Sequence, residues 1–87
     1  SKDKFNPHGD YSIIYFNGQK HKLTPMQANA IRYMVAEHKN GKEEIFDKDI
    51  LDCIGTSQLT MSAVFKKTTI MGNVISKVYN NYYKLNI

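Results

Sequence analysis

The sequence predicts one α+β domain in which three helices lie between an N-terminal and a C-terminal β-hairpin. Three observations carry this. Asn17-Gly18 stands between two runs rich in β-branched and aromatic residues. Three capping signals in the middle of the chain each precede apolar residues at helical spacing. Near the end, Asn80-Asn81 separates two further β-prone runs. A chain of 87 residues has room for a single compact core.

Residues 1–10 hold Pro7, Gly9 and several charges without periodicity, which predicts a loose arm, with the folded domain spanning 11–87. Tyr11 to Phe16 and Gln19 to Leu23 form the first hairpin. Asn-Gly favours a two-residue turn because both central residues need positive φ. In that register Phe16 faces Gln19, Ile14 faces His21 and Ser12 faces Leu23. Ile14, Phe16 and Leu23 then share the core face.

Thr24-Pro25-Met26-Gln27 is a helix start with three agreeing features. Thr24 can cap, Pro25 suits the first helical position, and Gln27 can close a capping box. Ala28, Ile31, Met34 and Val35 supply the apolar stripe, and Gly41 supplies a left-handed stop after Lys39-Asn40. A second helix starts at Asp47 as cap, with Phe46 stapled onto Leu51. It carries Ile50, Leu51 and Ile54 inward and ends at Gly55. Ser57 is the expected cap of a third helix running to about Met71, with Met61, Val64, Phe65 and Thr68 facing the core. A closing hairpin follows, with strands 74–79 and 82–86 around Asn80-Asn81. The two hairpins are expected to share a small sheet.

Two helices joined by a tight glycine-containing turn are a helix-turn-helix, and a closing hairpin adds a wing. The predicted fold is a winged helix-turn-helix. The chain resembles the winged-helix output domain of OmpR-type response regulators over roughly residues 11–87. Asn17-Gly18 followed by Leu23-Thr24-Pro25 is similar to that family's hairpin and Leu-Thr-Pro helix start. Thr60-Met61 stands where the family has a Thr-Val pair. Val78 through Tyr83-Lys84-Leu85 stands where it has a Val, a glycine-containing turn and Gly-Tyr-Arg-Leu. Asn80 and Tyr82 replace the family's wing glycines, and only Lys66 and Lys67 stand in its arginine-rich third helix. The resemblance implies DNA binding in transcription regulation, and 87 residues leave no room for a receiver domain.

The charge points the same way. All eight acids lie in residues 1–52, where eight bases balance them. Residues 53–87 hold Lys66, Lys67, Lys77 and Lys84 and no acid, so the whole formal charge of +4 resides there. A basic stretch stripped of acids is the footprint of a polyanion-binding surface. The expected recognition helix, 57–71, offers Ser57, Gln58, Thr60, Ser62, Lys66, Lys67 and Thr69 to the major groove. Glutamine can pair with adenine there, and lysines near the far end suit phosphates. The expected wing, 74–86, offers Lys77, Tyr79, Asn80, Asn81, Tyr82 and Lys84 to the backbone. With a two-residue turn, Lys77 faces Lys84 and Tyr79 faces Tyr82, while Val78, Tyr83 and Leu85 point inward. The implied partner is double-stranded DNA, with homodimerisation on it left open. The alternative is a winged helix used for protein binding through an apolar patch around Tyr79 and Tyr82.

Catalysis is not expected. His8, His21, His38 and Cys53 lack metal-ligand spacing, no glycine-rich phosphate loop occurs, and Glu43-Glu44 lie in a solvated loop. His21 is expected at the margin of the first hairpin and Cys53 beside the core. Met26, Met34, Met61 and Met71 are expected as core filler. No cofactor or small-molecule substrate is implied. The single cysteine and the lack of a membrane-spanning run predict a cytoplasmic location. Ser1 in place of an initiator Met suggests a fragment or a processed chain.

Overall fold

The computed structural model describes residues 4–58 and 60–87. It is an α+β fold with three helices and two small antiparallel sheets. The strands are β1 (Phe5–His8), β2 (Ile13–Phe16), β3 (Gln19–Lys22), β4 (Ile45–Phe46), β5 (Ile75–Tyr79) and β6 (Tyr82–Leu85). The helices are α1 (Pro25–Lys39), α2 (Asp47–Ile54) and α3 (Met61–Val64).

The hairpins do not share a sheet. Each has recruited its own third strand, giving the orders β1-β2-β3 and β4-β6-β5. The arm expected at 1–10 is therefore wrong for residues 5–8, which pair with β2; residues 1–3 lie outside the described part. Pro7 is no obstacle to this strand, because β1 is a sheet edge where a missing N–H costs no ladder bond. Phe5 and Pro7 face half inward while Asn6 and His8 stay exposed. The ring of His8 meets Tyr15 edge-on at 4.9 Å. The first hairpin has the expected register, with Phe16 opposite Gln19, Ile14 opposite His21, and Leu23 N–H donating to the Ser12 carbonyl at 2.8 Å. Asn17 and Gly18 both take positive φ, 53° and 82°.

Helix α1 begins as its sequence dictates. Thr24 accepts from the Gln27 amide at 3.2 Å, and Gln27 Oε1 accepts from the Thr24 amide at 3.0 Å. Gln27 is also buried, and its Nε2 donates to the Val64 carbonyl at 2.9 Å. One side chain thus caps α1 and ties it to the end of α3.

The start of α2 departs from the expected Asp47 cap. Ile45-Phe46 is a short strand, paired with Tyr83 and Tyr82 of β6. The Asp47 amide donates to the Asn81 carbonyl at 2.8 Å. With that backbone committed to the sheet, Phe46 becomes the cap residue without a side-chain bond, and Asp47 becomes the first helical residue. Its charge still complements the helix dipole. The Phe46 ring lies 5.3 Å from the Tyr82 ring.

The predicted helix 57–71 shrinks to one turn. Thr60, not Ser57, caps it, accepting from the Ala63 amide at 3.1 Å. The far end is broken by Thr68, whose hydroxyl donates to the Phe65 carbonyl at 2.7 Å and accepts from the Ile70 amide. Such local side-chain bonds compete with helix continuation. Lys67 accordingly turns into the left-handed region at φ 64°. The inward positions were nonetheless right: Met61, Val64 and Phe65 are buried and Thr68 is half-buried.

One core unites these parts. Ile14 from the first sheet, Ile31 and Met34 from α1, Ile50 from α2, Met61 from α3, and Ile45 and Ile75 from the second sheet are all fully buried. Met26 is exposed instead of core filler, because it follows Pro25 on the outer side of the first turn, and Cys53 is exposed on the outer face of α2. Met71 packs only partly against the core. Among the described residues no helix is long and apolar enough to cross a membrane.

Candidate nucleic-acid interface

The surface expected to meet DNA is built differently from a long recognition helix. Ser57 and Gln58 lie exposed in the connection after α2, where the Gln58 amide donates to Thr56 Oγ1 at 3.0 Å. Thr60 spends its hydroxyl on capping α3, and Ser62 is the exposed polar residue within the helix itself. Lys66, Lys67 and Thr69 are exposed in the turns after it. Ser62 and its neighbours therefore sit on a short helical stub followed by a basic turn, not along one continuous helix face.

The closing hairpin also departs from the simple register. Ser76 lies opposite Lys84 and Lys77 opposite Tyr83, with a register shift between Lys77 and Tyr79. The extra residue, Val78, is a bulge. It relieves the juxtaposition of Lys77 with Lys84, which would cost a few tenths of a kcal/mol as facing like charges. It also turns Val78 outward, 36% exposed, where the simple register had it in the core. Tyr83 and Leu85 are buried as expected. At the turn only Asn81 takes positive φ, 69°. Tyr79, Asn80 and Asn81 are exposed, and Tyr82 is half-buried.

The aromatic end of this hairpin is partly occupied. The Tyr79 ring lies 5.1 Å from Tyr82, and its hydroxyl donates to Glu44 at 2.6 Å. That bond holds the Tyr79 hydroxyl above the ordinary tyrosine pKa. Burial does the same for Tyr83, and for Tyr33 with the Glu37 carboxylate adding to it. Folding thus brings one carboxylate, Glu44, to a strand pair whose own sequence has no acid.

No family model matches the chain, and no curated protein or solved structure matches it. Its functional reading therefore rests on its own residues.

Lys66, Lys67, Lys77 and Lys84 are all exposed, and among the described residues none is ion-paired. Lys42, by contrast, lies 3.5 Å from Glu37. Two lysines that sequence reasoning placed in the neutral part of the chain join the basic surface. Lys20 and Lys22 of β3 border the same groove as Lys67. The signal was present in Gln19-Lys20-His21-Lys22: strand alternation puts both lysines outward once His21 faces in. His21 is indeed buried rather than marginal, with its Nδ1 3.3 Å from Thr69 Oγ1. A larger hollow lies elsewhere, beside α1, where Tyr11, Arg32, Tyr33, Lys39 and Cys53 line about 480 Å³. It gathers none of the lysines of residues 53–87.

Proposed function

We propose that this chain is a double-stranded DNA-binding domain of a transcriptional regulator. The observation that carries the reading is the acid-free stretch 53–87, whose four lysines are exposed on two neighbouring parts of the chain, the turn after α3 and the closing hairpin. The order of elements supports it: α2, the connection 55–60 and α3 form an abbreviated helix-turn-helix, and β5–β6 follow as a wing. This is the finer reading of the α+β fold, and it agrees with the resemblance to OmpR-type output domains.

The short α3 sets the division of labour. Ser57, Gln58 and Ser62 are the polar side chains placed to reach base edges, from a stub and its approach. Lys66, Lys67, Lys77 and Lys84 contact phosphates, which position a protein on DNA without reading sequence. Affinity is therefore dominated by the backbone, with modest sequence preference. Titrating a duplex at several salt concentrations tests the reading. Four neutralised phosphates give a log–log slope of about −4, and further contacts make it steeper. Binding that ignores salt, or no binding at low salt, removes the proposal.

The second reading, a protein-binding wing, is favoured by Val78 and Tyr79, which stand exposed side by side at the bulge. It leaves the lysines without a role.

A further inference from the structure

Between β3 and the segment after α3 runs a groove of about 250 Å³, lined by Lys20, His21, Lys22, Lys67, Thr68 and Thr69. Three lysines converge on it, and its lining contains no carboxylate. Like charges brought together by folding repel one another, so an anion between them is stabilised from all sides.

Three further features make it more than a cluster of surface lysines. Lys67 takes φ 64°, and it is the one charged residue with positive φ among the described residues. Backbone held in a sparsely populated conformation concentrates at ligand sites. His21 is buried, its Nδ1 contacts Thr69 across the junction, and its Nε2 has no hydrogen-bond partner among the described residues. A buried polar ring without a full set of partners is unusual in a wall that serves only packing. Finally, β3 is a sheet edge. The Leu23 amide points toward Ser12 of the neighbouring chain segment. Antiparallel alternation then directs the Lys20 and Lys22 amides to the unpaired edge, adding N–H donors beside the ammonium groups.

We propose that this groove is a phosphate site, occupied by a backbone phosphodiester when the domain is on DNA. Its biological occupant rests on the duplex-binding reading; its affinity for the phosphate oxyanion does not. The site extends the DNA surface from the C-terminal third onto the first hairpin, with Lys67 shared between them.

Two measurements test it separately from the parent reading. Inorganic pyrophosphate titrated into the whole chain should shift the amide resonances of Lys20, Lys22, Lys67 and Thr69 and leave Lys39 and Lys42 in place. Equal small shifts at all lysines overturn the site. In the second, Lys20→Gln with Lys22→Gln should weaken duplex binding on all sequences alike and reduce the salt slope by about two. Both side chains are exposed, so the variant keeps the core. Unchanged affinity and slope in a protein that binds duplex overturn the groove site and leave DNA binding standing. Localised pyrophosphate shifts in a protein that binds no duplex overturn the DNA reading and leave a site for free phosphate.

Discussion

Helix α1 and the segment 57–71 have similar lengths and similar apolar periodicity, yet one is a four-turn helix and the other barely one turn. The difference lies in what the polar residues do. In α1 the polar atoms at the start, Thr24 and Gln27, bond to orphan amides and so extend the helix. Its interior includes Ala28, Ala30, Arg32, Met34, Ala36 and Glu37, which lose little side-chain freedom in a helix. The segment 57–71 instead carries Ser57, Thr60, Ser62, Thr68 and Thr69, whose short hydroxyls can bond to nearby backbone. Thr60 caps too late and Thr68 bonds backward too early, leaving four helical residues between them. Periodicity decided which face is buried in both segments; side-chain bonding to the backbone decided which segment is a helix.

Because the short segment is held by packing rather than by its own ladder, its anchor should matter most. Phe65→Ala should cost about 3–5 kcal/mol, enough to unfold much of a domain this small. Denaturant titration reads it, and a cost under about 1 kcal/mol would show that Phe65 does not anchor the segment. Next comes the bridge between the two segments. Gln27→Ala removes half of the capping box and strands the buried Val64 carbonyl, for an expected loss of about 2–3 kcal/mol. Thr24→Ala removes the cap alone and should cost about 1 kcal/mol. Equal losses would mean that Gln27 does not tie α3 to α1.

The stops of the two helices sharpen the contrast. Gly41 follows the cap of α1 at φ 91°, a conformation glycine adopts freely, while Lys67, two residues beyond the Phe65 cap of α3, holds φ 64° under strain. Lys67→Gly should stabilise the fold by about 1 kcal/mol, and Gly41→Ala should destabilise it by about as much. A destabilising Lys67→Gly would mean that its side chain, not its backbone, is what the fold needs.

The first hairpin, α1 and the inward face of 57–71 were legible in the sequence because each is fixed by local chemistry. Asn17-Gly18 sets a register without help from the rest of the chain, and so does the Thr24–Gln27 box. What was not legible is tertiary. Phe5–His8 forms a strand only because β2 offers an edge, and Ile45–Phe46 only because β6 does. Nor does Asn80-Asn81 announce the bulge at Val78, which moves Lys77 from opposite Lys84 to opposite Tyr83. The candidate site divides the same way: four lysines announced themselves by the lack of acids around them, whereas Lys20 and Lys22 joined them only through the chain's path.

The smallest effect is a pH dependence. Tyr33, Tyr79 and Tyr83 are held above the usual tyrosine pKa of 10.0 in the folded chain. Their protonated forms are thus favoured by folding, and the stability they contribute is complete below pH 10 and lost as pH rises through the folded values. Tyr79→Phe should flatten part of that alkaline decline without moving stability near neutrality much. An unchanged alkaline slope would show that the Glu44 contact is not maintained in solution.

The central claim is that the basic turn after the shortened helix lies against duplex phosphates. Salt-dependent duplex titration of Lys66→Ala with Lys67→Ala, beside the unaltered chain, tests it most directly. The account predicts weaker binding on every sequence and a log–log slope shallower by about two, with Lys42→Ala leaving both unchanged. Duplex affinity and slope unmoved by loss of Lys66 and Lys67 would contradict it and give first place to the protein-binding wing.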